Sequence, residues 1–227
     1  MTADPLIALV GGDEFRPQAS AADRYLLSRI GQAGRVAILP TAAARESPEL
    51  AAENGVRYFC GLGAEARAVM VVDKASANDR RLVEQIEASD LVYLTGGDPR
   101  HLLDSLKGSL LWQRLSALLQ EGCALAGSSA GAMVLGEAMY FHGEWLDALS
   151  LLPGVCVLPH FERSGLYSHR GLQGLLSRDD LTLLGIDGAT ACVGFGATWE
   201  VIGPGAVTVF RQGGSTVFHA GGRFALP

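Results

Sequence analysis

The chain has 227 residues, of which 48% are hydrophobic and 19% charged, and its formal net charge is −6 at pH 7. That length suits one large domain over residues 1–227, and the apolar share supports a sizeable core and excludes a disordered chain. The negative balance and the lack of any basic run argue against a nucleic-acid partner, because phosphate binding needs a concentrated basic surface.

The first segment, MTADPLIALVGG, has no basic n-region, and its short apolar run ends in glycines. It reads as a first strand over 6–11, not a signal peptide. No apolar stretch approaches the about 18 residues that a membrane helix needs. Residues 21–34 then repeat apolar side chains at helical spacing and end in glycine. A buried strand follows at 36–41, helix and loop at 46–63, and a third strand at 68–73. Residues 76–90 read as helix, with Leu82, Val83 and Ile86 on one face. LVYLTGGD (91–98) is a fourth strand ending in a glycine pair, residues 100–122 are helical, and CALAGSS (123–129) is a fifth strand. After about residue 190 come the β-rich runs ACVGF, TWEVIG, AVTVF and STVFHA, separated by Gly and Pro as in antiparallel hairpins.

Strands with little polar alternation, separated by helices, are parallel strands covered on both faces. The fold class is therefore α/β, a three-layer doubly wound, mostly parallel sheet with a β-rich C-terminal edge. Ligands of such sheets bind beyond the carboxyl ends of the strands. That puts Gly11-Gly12, Thr41, Gly96-Gly97-Asp98 and Ser128-Ser129 along one edge. Cys60, Cys123, Cys156 and Cys192 are scattered, with no CxxC pair, so neither a zinc site nor a redox motif is supported. Each sits in or beside an apolar stretch, as a small hydrophobe does. This usage fits a reducing cytoplasm. No metal or cofactor is expected.

Gly127-Ser128-Ser129-Ala130-Gly131-Ala132 contains G-x-S-x-G centred on Ser129. Between a buried strand and a helix, this pattern fits a nucleophile elbow, in which the N–H after the serine points at a developing oxyanion. It also fits a tight turn with a serine N-cap. A serine nucleophile needs a base. His101, His142 and His169 read as solvated or loop residues. His160, which closes VCVLPHF, and His219, in the terminal strand TVFHAGG, are the two candidates.

GSSAGA after an apolar strand, GGD one strand earlier, W…LLPG…PHF downstream and then LGID together resemble peptidase family S51. That family holds aspartyl dipeptidase (dipeptidase E) and cyanophycinase, and the resemblance runs from about residue 6 to 210. It implies a class I glutamine amidotransferase-like, flavodoxin-like fold. It also implies Ser129 as nucleophile, His160 as base, and the N–H groups of Ala130 and Gly97 as oxyanion donors. The family's Glu after GID, which orients the histidine, falls on Gly188. Three outcomes stay open: Asp187 serves as the acid, another carboxylate such as Glu162 or Glu200 serves, or the protein is a weak homologue. Loss of a triad acid costs several orders of magnitude in rate.

The expected function is a serine peptidase acting on short peptides, aspartate-containing ones among them, with no metal, nucleic acid or membrane involved and a homodimer as a further expectation. Arg100, Arg163 and Arg170 flank the presumed site, and Asp98 and these arginines are candidate substrate contacts, since Arg binds carboxylates bidentately. Two other readings compete. An α/β-hydrolase-type esterase would use Ser129, Asp187 and His219 in that fold's chain order. A non-catalytic binding protein would explain Gly188. A nucleotide-binding reading is weaker, because VGGDEF lacks the G-x-G-x-x-G spacing.

Overall fold

A computed structural model describes residues 5–31, 34–163, 175 and 178–227. In chain order the strands are β1 (Ile7–Val10), β2 (Arg35–Leu39), β3 (Glu65–Ala68), β4 (Leu91–Leu94), β5 (Ala124–Ser128), β6 (Ala138–Phe141), β7 (Glu144–Asp147), β8 (Val155–Pro159), β9 (Thr182–Ile186), β10 (Ala191–Phe195), β11 (Thr198–Ile202), β12 (Ala206–Arg211), β13 (Gly214–His219) and β14 (Arg223–Ala225). The helices are α1 (Ser20–Ile30), α2 (Pro48–Gly61), α3 (Arg80–Val83), α4 (Pro99–Leu106), α5 (Leu110–Gln120) and α6 (Ala130–Met133).

The main sheet runs β14-β11-β10-β1-β5-β4-β2-β3. Its strands β1 to β5 are parallel, and β10, β11 and β14 extend it antiparallel. Successive side chains of a strand face opposite ways. Ile7 and Leu9 join one apolar cluster with α4, α5 and α6, through Leu102, Leu115 and Met133 among others. Ala8 and Val10 join a second with Leu26 of α1 and Phe59 of α2. Both faces are dry, which is why these strands read as continuous apolar runs.

The C-terminal region differs from a simple edge. The runs after residue 190 split between two sheets. β12 and β13 join β8 and β9 in a separate sheet of order β13-β12-β9-β8, with β8 and β9 parallel. Val157, Leu184 and Val209 of this sheet pack into the same core as Leu9 and Leu94.

Three other differences are local. The third strand lies at Glu65–Ala68, ahead of the expected 68–73. The stretch 76–90 is broken into short turns around α3, because Ser76 bonds back to Asp73 and Asp79 caps the Arg81 N–H. Such side chains offer the backbone an alternative to a continuous helix. The YFHGEW segment is the β6–β7 hairpin, with His142 and Gly143 in its turn at positive φ. Cys123, Cys156 and Cys192 are buried as expected, whereas Cys60 is exposed on α2, and all four are free thiols. Among the described residues no helix is long and apolar enough to cross a membrane.

One buried charge has a measurable consequence. Asp23 of α1 is 1% exposed, and its Oδ2 accepts a hydrogen bond from the Tyr58 hydroxyl at 2.8 Å. Its Oδ1 has no hydrogen-bond partner among the described residues. Burial pushes this carboxyl up to about 7. The folded protein thus keeps a proton that the unfolded chain has released between about pH 4 and pH 7. The stability from this group is complete below that window and is lost as pH rises through it. Asp23→Asn, which keeps an acceptor for Tyr58, should raise stability over the parent by roughly 2–4 kcal/mol at pH 8, and the gap should close below pH 4. Urea melts at the two pH values check this; a gap that does not change with pH contradicts it.

Candidate active site

Ser129 joins β5 to α6 with φ 49° and ψ −107°, a conformation costly for any residue with a Cβ. The turn is imposed by close backbone approach. A Cβ on Gly127 would lie 2.4 Å from the Gly131 carbonyl oxygen, and one on Gly131 would lie 2.5 Å from that of Leu94. The Ser129 N–H donates to the Val10 carbonyl at 2.9 Å, which ties the elbow to β1. Its side chain makes no capping hydrogen bond to α6. Ser129 therefore occupies the N-cap position without capping the helix, and it lines a cleft.

Ser128 has a different task. It is fully buried, and its hydroxyl donates to Glu14 Oε2 at 2.8 Å. Glu14 Oε1 accepts the Gly96 N–H at 2.7 Å. One carboxylate from the loop after β1 thus clamps the elbow after β5 to the glycine turn after β4. Next to it, Gly97 has φ 140°, and a Cβ there would lie 2.3 Å from the Ala42 carbonyl oxygen. Among the described residues, no protein acceptor takes the Gly97 or Ala130 N–H. Because β4 and β5 are adjacent parallel strands, both free N–H groups stand at the same sheet edge.

His160 follows β8, with φ 51°, and its N–H donates to the Gly11 carbonyl at 2.8 Å. Its ring lies against the backbone of Gly12, close enough that a Cβ there would be 2.0 Å from Cε1. The ring Nδ1 is buried and has no hydrogen-bond partner among the described residues. Ser129 and His160 line one cleft of about 860 Å³, together with Gly96, Gly97 and residues of α2. His219 is exposed on β13, at the opposite edge of the second sheet from β8. The Ser129–Asp187–His219 arrangement is therefore not assembled.

Of the carboxylates left open for the acid, Glu162 lies near His160, whereas Asp187 and Glu200 are held elsewhere. Asp187 does not turn to His160: its Oδ2 accepts the Ala206 N–H at 2.8 Å, which anchors β12 to the end of β9. Glu200 is held by Arg223 of β14. The carboxylates near the imidazole are Asp13 and Glu162, whose oxygens and a His160 ring nitrogen all lie within 4.8 Å of one another. That set has the composition of a metal site, and its two carboxylates are also held by protein groups. Both Asp13 oxygens lie 3.0 Å from Arg163 Nη2, and Glu162 Oε2 accepts the Gly188 N–H at 2.7 Å.

The substrate-contact expectations are largely redirected. Asp98 is the N-cap of α4, accepting from the Arg100 and His101 N–H groups and pairing with Arg45 at 3.2 Å. Arg100 is exposed and pairs with Asp104 one helical turn on, outside the cleft. Arg163 is bound to Asp13 and Glu162. Arg170 and His169 lie outside the described residues. The cations that do line the cleft are Arg16 and Arg57, which form no ion pair among the described residues. Sequence reading missed them, and also Glu14 and Asp13, because nothing local in GGDEFR signals partners more than eighty residues away.

Comparison with known proteins gives the family and the fold. A cyanophycinase from Geminocystis herdmanii is 28% identical over 218 residues, spanning 89% of this chain and 79% of the relative. A cyanophycinase from Nostoc sp. is 26% identical over 217 residues, spanning 89% of this chain and 72% of the relative. The crystal structure of a peptidase from an acI-B1 Actinobacterium superposes with a TM-score of 0.88 at 29% identity, covering 99% of this chain and 98% of that one. Residues 6–201 match the family model of peptidase family S51. The chain belongs to peptidase family S51 and is a serine-type hydrolase of that family.

Proposed function

We propose that the cleft hydrolyses short peptides through an acyl-enzyme on Ser129. The observation that carries this reading is the strained, uncapped Ser129 in one cleft with His160 and Gly97, directly before the Ala130 N–H. Ser129 Oγ attacks the scissile carbonyl carbon, and its proton passes to His160. With Nδ1 buried, Nε2 is the nitrogen available to receive it. The Gly97 and Ala130 N–H groups receive the oxyanion. The imidazolium then protonates the leaving amine, and water, deprotonated by the same histidine, releases the acid product. No hydrogen bond joins Ser129 and His160 as their side chains stand, and such bonds tighten when substrate binds.

Arg16 and Arg57 favour a substrate that carries carboxylates. Aspartate-containing dipeptides are therefore the first substrates to try, and the relatives' name adds cyanophycin. The four free thiols support a reducing compartment such as the cytoplasm. A second reading, a binding protein that has lost catalysis, draws on the partnerless His160 Nδ1 and on glycine at position 188. A fluorophosphonate probe separates the two. The expected result is a single adduct on the peptide containing Ser129, suppressed by competing peptide. An intact protein with no adduct overturns the peptidase reading.

A further inference from the structure

We infer that Asp13 and Glu162 together act as the acidic partner of His160, filling the place of the side chain that position 188 lacks. The inference rests on the peptidase reading above and names positioning residues for it. Three observations converge. First, a Cβ built on Gly188 would lie 2.5 Å from Asp13 Oδ2 and 2.9 Å from Glu162 Oε1. The volume that a side chain at 188 would enter is thus already filled by carboxylate oxygens from elsewhere in the chain. Second, one oxygen of each carboxylate and a ring nitrogen of His160 lie within 4.8 Å of one another, and among the described residues the buried His160 Nδ1 has no hydrogen-bond partner. Third, both carboxylates are held. Glu162 Oε2 is fixed by the Gly188 N–H, and Arg163 grips both Asp13 oxygens and approaches Glu162 Oε1 at 3.4 Å.

The charges explain why two acids and a guanidinium occupy the space of one acid. Two carboxylates and Arg163 carry one formal net negative charge beside the imidazole. The cluster becomes neutral when His160 takes the Ser129 proton, which is the state acyl transfer must stabilise. The other carboxylates nearby are committed, Glu14 to Gly96 and Ser128 and Asp187 to Ala206.

The test measures the rate of fluorophosphonate labelling of Ser129 against pH, in full-length protein, so that substrate identity does not enter. Asp13→Asn with Glu162→Gln should slow labelling about 100-fold and move the midpoint of the pH profile to lower pH, since the imidazolium loses its anions. Each single variant should slow it about tenfold, and these decide the matter if the double variant does not fold. Arg163→Gln breaks the same ion pairs but should move the midpoint to higher pH, an opposite sign that a purely structural role does not produce. Asp13→Ala with Glu162→Ala vacates the space beside residue 188, and adding Gly188→Glu to that pair should recover labelling at least tenfold, about the contribution of one restored carboxylate. Native rate and midpoint in the Asn/Gln double variant overturn the inference while leaving Ser129 and His160 in their roles. Native labelling in His160→Ala overturns the peptidase reading itself. Loss of labelling on chelation, restored by zinc, overturns the inference in favour of a metal held by the same three residues.

Discussion

Ser129→Ala is expected to lower kcat by about 10⁴-fold or more with KM little changed, because the lost oxygen acts in the chemical step and not in substrate binding. The more informative variant is Ser129→Gly. Both remove the nucleophile, but only glycine relieves the backbone at φ 49°, ψ −107°. A residue with a Cβ held in that region costs on the order of 1–3 kcal/mol, offset in part by the extra unfolded-state freedom of glycine. Ser129→Gly should therefore be more stable than Ser129→Ala by about 1 kcal/mol while equally inactive. Urea melts of the three proteins measure this. A Gly variant less stable than the Ala variant shows that the elbow is not strained, and residual hydrolysis in Ser129→Ala above one part in a hundred removes Ser129 from the mechanism. The strain has an identifiable source: Gly127 and Gly131 let β5, α6 and β4 approach so closely that the chain has one way to turn between them.

The parallel core was legible because a strand buried on both faces must be apolar throughout, as IALV, AIL and LVYL are. The elbow was legible only as one of two readings, since small residues on both sides of a serine after such a strand suit a plain N-cap turn as well. What local pattern does not carry is which partner a polar side chain finds. Asp98 looked like a substrate contact because it follows a glycine pair at the correct edge, yet its carboxylate closes the first turn of α4. Asp187 sat beside the vacant acid position in sequence, but the β9–β12 pairing turns it to Ala206. Glu14 and Asp13 lie in a short polar loop with no periodicity, and their roles arise only when β1, β4, β5 and β8 end together. The division of the C-terminal strands between two sheets was hidden for the same reason, as every hairpin there has the same alternation whichever sheet it joins.

The least conspicuous residue of the cleft should have one of the largest effects. Gly12→Ala is expected to reduce kcat/KM by about 10³-fold, close to the loss from His160→Ala, although residue 12 has no reacting atom. The imidazole occupies the space a side chain at 12 would need: a Cβ would lie 2.0 Å from Cε1, 2.4 Å from Nε2 and 2.7 Å from Nδ1 of His160. The backbone at Gly12 cannot move away easily, because its carbonyl accepts the Ala189 N–H at 2.9 Å and it follows directly on β1. The ring has to leave instead, and with it the path for the Ser129 proton. The φ of 131° adds strain for alanine of about 1–3 kcal/mol, so some stability is lost as well. The two effects separate in a double-variant cycle. If the activity loss arises from displacing the ring, Gly12→Ala in a His160→Ala background should cost no further activity, while the backbone strain should persist in urea melts. Additive activity losses in that cycle, or Gly12→Ala retaining more than a tenth of native kcat/KM, contradict a catalytic imidazole seated on Gly12.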